Sequence, residues 1–171
     1  MIEISTILIW LLKISVAFAA TVAFAVIFHT PKKQYLFAGL TGAFGWFIYS
    51  ISLYFSLDVI AASFLAAFAL TWLARVISYV RKEIVTAFLI CGIFPIVPGA
   101  GIYYAGYYVF MNENALASSK FLETLKIAIA IALGLGVVLS LPSFIFNIFN
   151  KKNKENKLQE KLEKLTGGDS S

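Results

Sequence analysis

Hydrophobic residues in this chain come in long, nearly uncharged blocks separated by short polar connections. A helix needs about 20 mostly apolar residues to cross the hydrocarbon of a bilayer. Five blocks approach that length. The first runs from Ile4 to Phe28 and is interrupted only by Lys13. The second, from about Tyr35 to Ser56, holds no charge, and the third, Leu57 to Ala74, carries only Asp58 near its start. The fourth, Ile84 to Phe110, is uncharged but contains Pro95 and Pro98. The fifth runs from about Phe121 to Phe149, with Glu123 and Lys126 near its start and Pro142 near its end. The pattern predicts an all-α membrane protein of about five transmembrane helices in one domain, residues 1–150, followed by a basic tail, 151–171. The third block is short and has almost no loop before it. A re-entrant hairpin there would leave four spans.

Composition supports a lipid-solvated chain. Of 171 residues, 60% are hydrophobic and 13% charged. Soluble domains average about 45–50% apolar and roughly 25% charged. A small soluble domain cannot hide that much apolar surface, because its surface stays large relative to its volume. The net charge of +5 matters through its placement: six of the 14 basic residues are tail lysines between 151 and 164. With five spans, Lys32, Lys33, Arg75, Arg81, Lys82 and the tail fall on one face, and Lys120 on the other. The positive-inside rule then puts the tail in the cytoplasm and the N-terminus outside. The same placement argues against a nucleic-acid partner. The first block lacks the basic n-region of a signal peptide, so it reads as an uncleaved span. In the tail, Leu158, Leu162 and Leu165 make one helical stripe, suited to a solvated amphipathic end or to a helix resting on headgroups or a partner.

The stretch Cys91-Gly-Ile-Phe-Pro-Ile-Val-Pro-Gly-Ala-Gly-Ile-Tyr-Tyr104 carries the most chemistry. Pro95 and Pro98 lack amide hydrogens and clash with the preceding turn, and each pushes the residue before it away from helical angles. Gly99 and Gly101 permit backbone conformations that other residues avoid. A break near Phe94 to Ala100 is therefore expected. At membrane depth, broken backbone survives when buried in protein or lining a wet cavity, and transporters use such breaks to aim half-helix ends at a substrate. The alternative is an inert proline kink. Doubled proline and doubled glycine favour a substrate site of Pro95, Pro98, Gly99, Gly101, Tyr103 and Tyr104. Tyr107 and Tyr108 suit an interfacial aromatic belt.

Two ionisable residues are candidates for coupling. Lys13 lies inside the first block, where a charge is functional by default but is also close enough to one surface to snorkel. Asp58 stands at the mouth of the third block, as a proton-coupling group or a helix cap. Small residues at four-residue spacing, Ala38 with Gly42, Gly39 with Ala43, Ala130 with Gly134 and Ala132 with Gly136, predict close helix packing within the chain or between copies. One cysteine, Cys91, precludes an internal disulfide, and one histidine, His29, precludes sites that need two. No nucleophile–base set, phosphate loop or dinucleotide turn is visible. Neither an enzyme nor a cofactor is expected, and lipid is the first partner.

Three landmarks then carry a resemblance. They are Phe28-His-Thr-Pro31 followed by Gly39-Leu-Thr-Gly-Ala-Phe-Gly45, Ile93-Phe-Pro-Ile-Val-Pro-Gly-Ala-Gly-Ile-Tyr103, and Leu139-Ser-Leu-Pro142 ahead of the basic tail. Over about residues 18–150 the chain resembles the threonine/serine exporter family, most of all its short split form, which corresponds to the second membrane half of the full-length exporter. The resemblance implies export of threonine and serine, or of a short dicarboxylate such as succinate, across the inner membrane. It also implies a larger companion subunit supplying the other membrane half and a soluble domain. Members of this type often have Asn where His29 stands, so that position is given no ligand role.

Overall fold

The computed structural model describes residues 4–142. Six helices follow one another: α1 (Ile4–Ile27), α2 (Tyr35–Tyr54), α3 (Val59–Arg81), α4 (Val85–Ile93), α5 (Gly99–Phe110) and α6 (Asn114–Ser140), with a 3-10 turn at Lys32–Gln34 before α2. Among the described residues four stretches are long and apolar enough to cross a membrane: Leu8–Ile27, Lys32–Tyr54, Val59–Arg81 and Asn114–Ser140. The tail stripe of Leu158, Leu162 and Leu165 lies outside the described residues.

Two helices differ from expectation at their ends. The third block was expected to stop at Ala74, with Arg75 in a connection, yet α3 continues to Arg81 and Arg75 is buried within it. The fifth was expected from Phe121 through Pro142 to Phe149. The helix instead begins at Asn114 and stops at Ser140, and Leu141 is extended at ψ 134°, as the residue before a proline should be. Lys120 accordingly sits within α6 rather than in a loop, paired with Glu123 at 2.7 Å.

Small residues let the bundle close. Ala38, Gly39, Gly42 and Ala43 are all buried on α2. A Cβ at Gly42 would collide with the Thr21 hydroxyl of α1, and one at Gly134 would stand 2.6 Å from the Phe64 carbonyl of α3. Of the two small pairs on α6, Ala130 with Gly134 packs inward, whereas Ala132 and Gly136 are exposed. One core gathers Ala25, Ala38, Leu70, Ala74, Phe88 and Cys91 from α1 to α4. A second joins Ala66, Ala67 and Ile96 to Ile127 and Ile131 of α6. α4 packs on α1, α2 and α3, whereas α5 packs on α6.

Polar contacts gather at one end. Gln34, buried, donates to Glu83 Oε1 at 3.1 Å and accepts from Arg81 Nε at 3.2 Å, and the Arg81 guanidinium lies 4.4 Å from the Phe37 ring centre. These contacts tie the α1–α2 and α3–α4 connections together. At the same end of α3, Arg75 Nη1 donates to the carbonyls of Val138 (2.5 Å), Leu139 (3.3 Å) and Leu141 (2.8 Å).

Candidate functional site

The helical chain is interrupted between Ile93 and Gly99. Pro95 has no amide to return to the Cys91 carbonyl. The Ile96 and Val97 amides both turn to the Ile93 carbonyl, at 2.9 and 3.2 Å, so the Gly92 carbonyl loses its helical donor. Pro98, at φ −76° and ψ 57°, closes an inverse γ-turn in which the Gly99 amide donates to Val97 O at 2.8 Å. α5 starts there, and its first-turn amides at Ala100 and Gly101 have no intrahelical acceptor. The interruption thus sets the carbonyl end of α4 against the amide end of α5. Partial charges of opposite sign face one short segment.

Beside it, α5 and the first half of α6 diverge around a groove of about 680 Å³. Its walls are almost wholly apolar: Val97, Ile102, Ala105 and Val109 face Phe121 and Leu125, and Asn114, Ser118 and Thr124 are the polar members. Thr124 is buried and donates to the Lys120 carbonyl.

The expected site residues separate into three groups. Pro98 lines the groove, and Pro95 is half-buried in the interruption. Gly99 and Gly101 are ordinary helical residues of α5, and no described glycine has a positive φ. The conformational reason given for them therefore does not apply. Gly101 is needed for approach, since a Cβ there would strike the Thr124 hydroxyl, while Gly99 opens onto free space. Tyr103 and Tyr104 lie outside the groove lining, 66% and 49% exposed, edge-on to each other at 5.4 Å; Tyr103 also stacks on Tyr107 at 6.4 Å. Lys13 is exposed on α1, and Asp58 is exposed at the start of α3 with no side-chain capping bond. Neither side chain joins the interruption through a hydrogen bond or ion pair. Among the described residues no three His, Cys, Asp or Glu gather into a metal-sized cluster.

Arg75 escaped the sequence reading. Its signal was present: with α3 continuing to Arg81, a lone arginine two turns inside an apolar helix needs carbonyls or a counter-charge to hold it.

A family model described as "Threonine/Serine exporter, ThrE" matches residues 13–141 of the chain. No curated protein and no solved structure matches.

Proposed function

Because the chain belongs to the threonine/serine exporter family, we propose that it is one subunit of a secondary transporter exporting small polar carboxylates across the inner membrane. Threonine, serine and short dicarboxylates such as succinate are its candidate cargo. On this reading α4 and α5 together make the fourth of five crossings, broken at Phe94–Pro98. The basic face at Lys32, Lys33, Arg81 and Lys82 is cytoplasmic and the N-terminus external. A larger companion supplies the second membrane half.

One observation carries the reading: the interruption, with its paired helix ends, falls inside the family-matched segment and beside the apolar α5–α6 groove. Free amides of α5 suit a carboxylate, and carbonyls released by Pro95 suit an ammonium or a coupling cation. The exposed face of α5, including Tyr103, Tyr104 and Tyr107, is where the companion would complete the site.

The test is efflux of labelled threonine, serine and succinate from cells with and without the pair of subunits. Unchanged efflux of all three on deletion would defeat the assignment of cargo. Pro98→Ala combined with Gly99→Ala removes the γ-turn preference without filling packed space. Efflux should be abolished with the protein still in the membrane, and full activity would rule out the interruption as the site.

A further inference from the structure

A second cavity, of about 310 Å³, lies between the α1–α2 connection and the first turns of α4, at the end of the bundle that bears Lys32, Lys33, Arg81 and Lys82. Its wall is mixed. Phe28, Ile84 and Ile90 are apolar, whereas His29, Thr30, Thr86 and Cys91 contribute an imidazole, two hydroxyls and a thiol. Elsewhere the buried helical hydroxyls are already occupied: Thr21, Thr41, Ser63, Thr71 and Thr124 each donate to the carbonyl four residues back. The pocket hydroxyls differ. Thr30 is 7% exposed and lies off the helix, and its contact is the Cys91 sulfur at 3.8 Å, a weak partner. Thr86 makes no hydrogen bond to another described residue and is exposed on the α4 surface.

The pocket also shares a wall with the interruption. Phe28 stands 5.6 Å from Phe94, the first residue after α4, and both rings stack with Phe24, at 6.3 and 4.0 Å. The pocket lining reaches Cys91, two residues before α4 ends at Ile93, so pocket and interruption are separated by the last turn of α4 and three rings.

Resting on the exporter reading above, we propose that this pocket is the loading site for cargo: a small carboxylate bearing a second polar group, held by Thr30 and Thr86 and admitted to the interruption past the Phe24–Phe28–Phe94 stack. The volume suits a compound of a few carbons with residual water, since each water occupies about 30 Å³. The lysines and arginine at this end of the bundle raise the local concentration of anionic groups. One hydroxyl held only by a thiol and one with no partner among the described residues, beside apolar walls, reward a ligand that brings its own hydroxyl or second carboxylate.

Equilibrium binding of radiolabelled threonine, serine and succinate to the full chain in lipid nanodiscs tests this, with the companion present where it co-purifies. Thr86→Trp fills the pocket from an exposed position and should weaken binding about tenfold or more, a loss of about 1.4 kcal/mol, while Thr86→Ser should bind as wild type. Bound ligand should also slow modification of Cys91 by methyl methanethiosulfonate, a readout that needs no variant. The Pro98→Ala, Gly99→Ala protein should lose efflux yet keep both binding and Cys91 protection. Wild-type binding by Thr86→Trp, with binding lost instead in the Pro98/Gly99 variant, would overturn the loading site and leave the exporter reading standing. Failure of the wild-type chain to bind any of the three, with efflux unchanged on deletion, would overturn both.

Discussion

Among the described residues four adopt left-handed backbone angles, and none is glycine: His29 (φ 55°), Ser56 (φ 60°), Lys82 (φ 56°) and Asn112 (φ 59°). Each follows a helix. After α1, the Thr30 amide reaches Ala25 O and the His29 amide reaches Val26 O; after α2, the Leu57 and Ser56 amides reach Ser52 O and Leu53 O. This is the Schellman pattern, in which the left-handed residue is usually Gly or Asn. His29 tolerates the conformation better than most side chains do. An L-residue in this region costs roughly 1–2 kcal/mol, partly offset when glycine replaces it by the larger entropy glycine loses on folding, about 0.5–1 kcal/mol. Ser56 is exposed and its hydroxyl makes no hydrogen bond to another described residue, so Ser56→Gly should stabilise the fold by about 0.5–1 kcal/mol. A denaturation midpoint in mixed micelles that falls instead would show the cap to be incidental. The sequence hides these caps, because the strongest written signal for them, a glycine after the helix, is missing at all four.

At the scale of elements, the apolar blocks announced α1, α2 and the cores of α3 and α6, because lipid solubility and helical span length are written directly in composition. Helix ends were less legible. Asn112, Glu113, Asn114, Ser118 and Lys120 depress hydropathy around the start of α6, yet a helix needs satisfied amides and not lipid to continue, and α6 already begins at Asn114. Arg75 was misread for the converse reason. A guanidinium marks a surface only when nothing inside the bundle can receive it, and here the last carbonyls of α6, orphaned by the stop before Pro142, are within reach. The cation also meets the negative end of the α6 dipole. Hydrogen bonds from a charged donor are worth about 1.5–3 kcal/mol. Arg75→Met should therefore destabilise the protein by about 2 kcal/mol and loosen the C-terminal turn of α6 first. Hydrogen exchange at Val137 to Leu139 is the direct measurement, and unchanged protection there would mean that packing alone holds that end. Pro95 and Pro98 fall in the segment between α4 and α5, but the part played by Gly101 was not legible. Its reason is Thr124, 23 positions later, a contact that no local pattern encodes.

Across the whole molecule, the arrangement of charges and the path of the chain make a single claim. The end of α3 and the starts of α2 and α4 meet at one pole through the Arg81–Gln34–Glu83 contacts, with Thr30, after α1, reaching Cys91 in the last turn of α4, and that pole carries Lys32, Lys33, Arg81 and Lys82. α6 ends near the same pole beside Arg75, and its 27 residues extend about 40 Å, which carries its start, and with it Asn112, to the opposite side. If α4 and α5 together cross the bilayer, Ser56 and Asn112 share one aqueous face and Lys33 lies on the other. A re-entrant α4–α5 pair would instead put Asn112 beside Lys33 and would reverse the direction of α6 relative to the path described. In a Cys91→Ala background, single cysteines at Ser56, Asn112 and Lys33 distinguish these arrangements when intact cells are treated with a membrane-impermeant maleimide. Labelling of Ser56→Cys and Asn112→Cys from outside, with Lys33→Cys labelled only after permeabilisation, is the expected result. Labelling of Lys33→Cys alone would reverse the orientation, and labelling that separates Asn112→Cys from Ser56→Cys would remove the fifth crossing. The second outcome would bear on mechanism as well as topology, because a substrate path through the α4–α5 interruption requires that its two half-helices open toward opposite sides of the membrane.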